Sequence, residues 1–198
     1  MNEVPLDKIQ QHKERMHKIS TELFTLTRLS SSDSAEYTVV VDSKALLKDV
    51  YEEALTFDQN KHHLTLSIDP QTIESDSNLN LFGSYNELRM AFSNLLTNAI
   101  RYTPEGGDIN LFFTAHDTGV SVGVEDTGAG IDYAHIPRLT ERFYRVDEGR
   151  SREQGGTGLG LSIVKHVLDR HNATLHIQST PGKGSTFRCD FPFLYITQ

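Results

Sequence analysis

The chain has 198 residues, 37% hydrophobic and 23% charged, which fits a soluble globular fold with a real core and excludes disorder throughout. Its 19 Lys and Arg stand against 27 Asp and Glu, a formal net charge of −8, which excludes a general nucleic-acid binder but not a small basic pocket. The single cysteine, Cys189, excludes an internal disulfide framework and a zinc-finger cluster. The longest apolar run, Phe193–Ile196, is too short to cross a membrane, and the N-terminal segment MNEVPLDKIQQHKE lacks the apolar stretch of a signal peptide. The expected setting is the reducing cytoplasm. At about 150 residues per domain, the length implies one domain plus an appendage, or two small domains.

Residues 5–29 read as one helix. Ile9, His12, Met16, Ile19, Leu23 and Leu26 recur at heptad spacing and form a seam that calls for a partner helix. An amphipathic helix packed on its own domain is the plainer alternative. Ser/Asp-rich residues 30–37 read as a linker. The predicted boundary divides residues 1–34 from a compact domain over 35–198.

Within that domain Val39–Val41 reads as a short strand, and Ser43 is placed to cap a helix over 44–59. Leu64, Leu66 and Ile68 alternate as a strand, and Leu79–Phe82 is another short extended piece. A strong helix is predicted from Tyr85 to Arg101, with Leu88, Phe92, Leu95, Leu96 and Ala99 on its apolar face. Ile109–Thr114 and Val120–Glu125 form a hairpin. Residues 131–156 are charged and without period. A helix over Leu159–Arg170 and two strands, Thr174–Ser179 and Ser185–Phe191, complete the series. Cys189 falls in the last strand, where a buried residue is expected rather than a catalytic thiol. The order lacks strict βαβ alternation, so the expected class is α+β: a two-layer sandwich with three main helices on a mixed sheet, preceded by the long N-terminal helix.

Three glycine-bearing turns carry the chemistry: Asp126-Thr-Gly-Ala-Gly-Ile131, Gly156-Thr-Gly-Leu-Gly-Leu161 and Gly182-Lys-Gly184. The second runs straight into a helix, whose leading N–H groups and dipole favour an anion. Alone, such a turn also fits an ordinary strand–helix connection. It matches neither the Walker A pattern nor the dinucleotide fingerprint. Asn94 and Asn98 share one face of the strong helix. Each reads either as a hydrogen-bonded core amide or as an oxygen ligand for a hard cation such as Mg²⁺.

The ordered set resolves this. Asn94-Leu-Leu-Thr-Asn98-Ala-Ile-Arg-Tyr102, Asp126-Thr-Gly-Ala-Gly130, Arg142-Phe-Tyr-Arg145, Gly156-Thr-Gly-Leu-Gly160 and Gly182-Lys-Gly-Ser-Thr-Phe187 resemble, in order and spacing, the N, G1, F, G2 and G3 boxes of sensor histidine kinases. Residues 135–151 look similar to the phosphate-regulon branch of that family. The resemblance implies the Bergerat-type ATP-binding fold and Mg²⁺·ATP as its ligand. By position, Asp126 would accept from the adenine amino group and Ser185 would help through water. Gly128, Gly130 and Ile131 would shape the adenine pocket. Asn98 would hold Mg²⁺ with Asn94 beside it, Arg101 and Arg145 would meet phosphate oxygens in catalysis, and Tyr102 would line the site. Gly156, Thr157, Gly158, Leu159 and Gly160 would present backbone to the phosphates, with residues 132–156 as a lid.

Related ATPases carry a glutamate four residues before the metal-binding Asn. Here that position is Asn94, and an amide cannot act as a base toward water. The resemblance therefore implies a kinase over the alternatives, an ATPase of the same superfamily or a non-catalytic nucleotide-binding module. The family also needs a phosphoacceptor histidine on the first helix of a dimerising hairpin. The chain has nine histidines and none sits in such a box. His12 reads as a packing residue; His62, His63 and His171 read as solvated. Residues 1–34 resemble the second hairpin helix, so the expectation is a fragment that binds Mg²⁺·ATP, does not phosphorylate itself and dimerises weakly or not at all. Its implied partners are the acceptor hairpin and a response-regulator receiver domain, with no nucleic acid, and its implied parent is anchored at the inner membrane.

Overall fold

The computed structural model describes residues 6–31, 39–69, 80–146, 156–192 and 196–197. In chain order these form α1 (Leu6–Ser31), β1 (Val39–Val41), α2 (Ser43–Asp58), β2 (His63–Ile68), β3 (Asn80–Gly83), α3 (Tyr85–Tyr102), β4 (Asp108–His116), β5 (Gly119–Asp126), a 3₁₀ helix (Tyr133–Arg138), α4 (Gly160–Arg170), β6 (Thr174–Thr180), β7 (Gly184–Pro192) and β8 (Ile196–Thr197).

A five-stranded sheet of order β2-β4-β5-β7-β6 backs the helices. Only β2–β4 is parallel; the other three pairings are antiparallel, so the sheet is mixed. The central strand β5 is buried along almost its whole length. A second, small sheet of order β1-β3-β8 closes one end of the domain; β8 has no counterpart among the sequence expectations. Helices α2, α3 and α4 lie side by side, with α3 between the other two. Leu88, Phe92, Leu95, Leu96 and Ala99 of α3 enter the core as expected, and Ala91 joins them. The Phe92 ring meets Phe191 of β7 edge-on at 6.2 Å between centroids, joining the two layers. Burying that phenylalanine contributes about 1.5–3 kcal/mol.

Helix starts follow side-chain chemistry. Ser84 caps α3 by accepting from the Glu87 amide. The cap of α2 differs from expectation. Asp42, not Ser43, accepts from the amides of Lys44 and Ala45 at 2.9 and 3.0 Å, while Ser43 is already helical and buried. Cys189 is fully buried on β7, and burial, with Asp190 beside it, pushes its thiol well above the ordinary range. It is a packing residue.

Two histidines expected in solvent have buried side chains instead. His62 is wedged between Asp58 and the Thr103 carbonyl. His171 accepts the Ser84 amide on Nε2 and donates from Nδ1 to Val167 O. Neighbouring polar groups absorb both nitrogens of each ring, so burial leaves none unsatisfied. His63 is exposed, as expected.

Helix α1 packs on α4, and its buried face is turned slightly from the predicted seam. Leu26 and Leu29 enter the core and Ile19 is half-buried, whereas Met16, Leu23 and the neighbouring Phe24 remain exposed. The side chain of His12, Leu79, and residues 147–155 of the expected lid lie outside the described residues.

Candidate functional site

A cavity of about 240 Å³ opens between α3, the end of β5, the 132–146 segment and the Gly156–Gly160 turn. Of the residues singled out in the sequence, Asn94, Asn98, Arg101, Tyr102, Asp126, Gly130, Ile131, Arg145, Gly156, Thr157, Gly158, Gly160 and Ser185 line it.

Strand register builds the carboxylate side. Asp126 ends β5 directly opposite Ser185 of β7 and Ile109 of β4. The Gly128 amide donates to Asp126 Oδ1 at 2.8 Å. Burial pushes the Asp126 carboxyl above its ordinary range; the backbone amides of Gly128 and Ser185 pull it back, and Glu125 pushes it further up. Gly128 therefore supports Asp126 from behind and does not line the cavity. Gly130 has φ +67°, and a Cβ there would fall 2.0 Å from the Thr180 carbonyl oxygen, so only glycine fits this crossing. Ser179 of β6, which no sequence motif marks, accepts the Ile131 amide at 2.7 Å and lies 2.9 Å from Ser185 Oγ. It ties two predicted site residues together.

The other side is cationic. Arg101 and Tyr102 leave the last turn of α3, and Arg145 comes from the 132–146 segment. A Cβ built on Gly156 would lie 3.5 Å from Arg145 Nη2, 3.8 Å from the Tyr102 hydroxyl and 3.9 Å from Arg101 Nη1. Three donors thus converge on a space that a side chain at Gly156 would fill. The segment is lashed to the glycine turn by the Phe143 amide, which donates to Gly158 O at 2.8 Å. Leu159 is fully buried, so only its backbone could serve a ligand.

On α3, Asn94 Nδ2 donates to Met90 O at 2.8 Å, leaving its Oδ1 toward Gly160. Asn98, one turn later, also lines the cavity. Among the described residues no three His, Cys, Asp or Glu side chains gather into a metal-binding group. A hard cation here would take an amide oxygen from Asn98 and its remaining oxygens from phosphate and water, which suits Mg²⁺.

Two charged lining residues come from α1, outside every sequence box: Lys18 and Glu22. Thr157 Oγ1 donates to Glu22 Oε2, and Lys18 Nζ lies 3.9 Å from Glu22 Oε1. Tyr144 and Leu139 also line the wall. Tyr144 is oriented by His135 Nδ1 at 2.6 Å and by the Arg138 guanidinium, 4.2 Å over its ring.

The family profile described as "Histidine kinase-, DNA gyrase B-, and HSP90-like ATPase" matches residues 83–194. The chain belongs to this family. The match runs from the end of β3 through β7 and includes every predicted site residue; Lys18 and Glu22 lie outside it. Family members that resemble the chain over most of its length include the phosphate regulon sensor protein PhoR of Pseudomonas aeruginosa, 45% identical over 186 residues, 94% of this chain. The chain spans 41% of that protein's length. Among solved structures, full-length ShkA in complex with AMPPNP superposes on 92% of this chain, using 36% of its own, with a TM-score of 0.75 and 25% identity. The mycobacterial sensor histidine kinase MprB superposes on 78% of this chain and 97% of its own, with a TM-score of 0.66 and 22% identity. As a member of this family the chain is an ATP-binding domain of the two-layer α+β type. No helix among the described residues is long and apolar enough to cross a membrane.

Proposed function

We propose that this chain is the catalytic, ATP-binding region of a two-component sensor histidine kinase of the phosphate-regulon type. In this reading it transfers the γ-phosphoryl group of Mg²⁺·ATP to a histidine on a dimerising hairpin, for onward transfer to a receiver-domain aspartate. The observation that carries this reading is the pairing, in one cavity, of a buried carboxylate at Asp126 with the Arg101–Arg145–Tyr102 cluster around Gly156. The carboxylate suits a purine amino donor, and the cluster suits phosphate oxygens. The PhoR likeness supports the kinase branch and the phosphate-regulon assignment. The AMPPNP named for ShkA supports an adenine nucleotide as ligand.

Each residue then has a task. Asp126 selects the base, with Gly130 and Ile131 shaping the wall beside it and Ser185 assisting. Asn98 offers its amide oxygen to Mg²⁺, which when bound neutralises phosphate charge. Arg101 and Arg145 oppose the charge spread over the transferring group, and the backbone of Gly156–Gly160 faces it. Asn94 cannot take a proton from water, so this set binds and orients ATP without hydrolysing it. We take residues 1–34 as the second hairpin helix and 35–198 as the catalytic domain. The parent would be membrane-anchored, with this region in the cytoplasm, where ATP is available.

The test uses γ-labelled Mg²⁺·ATP with and without a separate hairpin bearing an acceptor histidine. Acid-labile label on the hairpin and none on this chain is the expected result. Steady phosphate release without label, lost in Asn98→Ala, would overturn the kinase reading in favour of an ATPase.

A further inference from the structure

We propose that Glu22 is an internal counter-anion that seals the phosphate side of the cavity with α1 until nucleotide phosphate displaces it. This rests on the nucleotide-binding reading above. Glu22 lies outside the family match, yet its carboxylate accepts from Thr157 in the glycine turn, and its side chain is only 14% exposed. The cavity lining holds three cations, Lys18, Arg101 and Arg145, and only two carboxylates. Asp126 is one, held at the end of β5 by the Gly128 amide. Glu22 is the other, and it takes the hydroxyl donor of Thr157, which the glycine turn would otherwise offer to a phosphate oxygen.

Carboxylate and phosphate seek the same donors and cations, and a polyphosphate carries more charge. Both cannot sit in one small site without strong mutual repulsion. Displacement need not detach the whole helix. Leu26 and Leu29 are buried, and Arg170 Nη1 donates to the Leu29 carbonyl at 3.2 Å while its Nε pairs with Glu87 at 3.0 Å. That anchor holds the C-terminal end of α1, about two turns beyond Glu22. The Glu22–Lys18 stretch can swing from this pivot, so nucleotide binding becomes a change in helix position.

The test compares the full chain with Glu22→Gln, which keeps an acceptor for Thr157 but removes the charge. Affinities for Mg²⁺·ATP, ADP and adenosine are measured by calorimetry. ATP and ADP should bind Glu22→Gln about three- to tenfold more tightly, the size of a partly screened charge interaction, with adenosine unchanged. In the wild type, amides of residues 13–25 should exchange faster with ATP than with adenosine. An ATP affinity that is unchanged or weaker in Glu22→Gln, an equal gain for adenosine, or exchange indifferent to ATP would each overturn the proposal. If the wild type fails to bind ATP at all, the nucleotide reading itself falls; if it binds and Glu22→Gln shows no gain, only the role of Glu22 falls.

Discussion

His62 Nε2 lies 2.9 Å from the carbonyl oxygen of Thr103, pinning the end of α3 to the end of α2. The other ring nitrogen meets Asp58, and both side chains are almost wholly buried. Polar neighbours thus hold the ring from both sides. Thr103 directly follows Arg101 and Tyr102, so this clamp sets where two cavity residues leave the helix. His62→Ala removes the ring partner of Asp58 Oδ1, though the Lys61 and His62 amides still serve Oδ2, and should cost about 1–3 kcal/mol, read as a lower urea midpoint. ATP affinity should fall with it, because the α3 terminus loses its brace. A midpoint within error of wild type would refute the clamp.

His171 gives the domain an acid-sensitive link between the end of α4 and Ser84, the cap of α3. Burial holds its pKa below the ordinary 6.5; the Val167 carbonyl and Glu87 pull it up and Arg170 pushes it down. The unfolded chain therefore takes this proton before the folded one does. Its contribution is complete above about pH 6.5 and is lost as the pH falls through the window beneath it. Thermal melts at about pH 7.5 and 5.5 should show a lower Tm at the acid value, with a smaller drop in His171→Gln. An equal drop in both proteins would contradict this.

Asp126 has the opposite sign. Its folded pKa is raised, so the folded state takes the proton first, and acidification through that value relieves a desolvation penalty. Stability is gained in that window while the charged acceptor proposed for adenine is lost. Nucleotide affinity should therefore decline on acidification sooner than an ordinary aspartate titrates. Asp126→Asn keeps an oxygen for the Gly128 amide and should retain the wild-type Tm while ATP affinity falls about 10- to 100-fold. Full affinity in a titration of this variant would remove Asp126 from the site.

Gly158 and Gly182 form a matched pair. Their φ angles are +76° and +75°, but a Cβ on Gly158 would fall 2.9 Å from the Phe143 backbone, whereas one on Gly182 meets nothing within 4 Å. Gly182→Ala should cost about 1–2 kcal/mol, the left-handed penalty alone. Gly158→Ala should cost more, and should also lower ATP affinity by pushing the Phe143–Arg145 segment from the turn. Equal denaturation midpoints for the two variants would show that the Phe143 contact yields freely.

Much of this was legible because period and punctuation coincide. The α3 face from Leu88 to Ala99 and the alternation of β4 through β7 read directly from spacing. The glycine turns read through a family likeness, not through physics alone. What stayed hidden depended on distant partners. Asp42 displaced Ser43 as cap because Ser43 turns into the core. His62 and His171 looked solvated because their partners, Thr103 and Ser84, are 41 and 87 residues away. Ser179 and Glu22 reached the site through strand register and helix docking, neither of which a local pattern encodes. The α1 seam was offset for the same reason: α4 selected the Leu26–Leu29 face.

Helix α4 begins at Gly160 with Leu159 before it and no side-chain cap. Leu159 offers its leading amides no side-chain acceptor, while Ile163, Val164, Val167 and Leu168 plug its far face into the core. With a nucleotide phosphate as their acceptor, the guest completes a secondary-structure element of the host. Fraying of α4 then follows occupancy, and resistance to proteolysis should rise and fall with the supply of nucleotide.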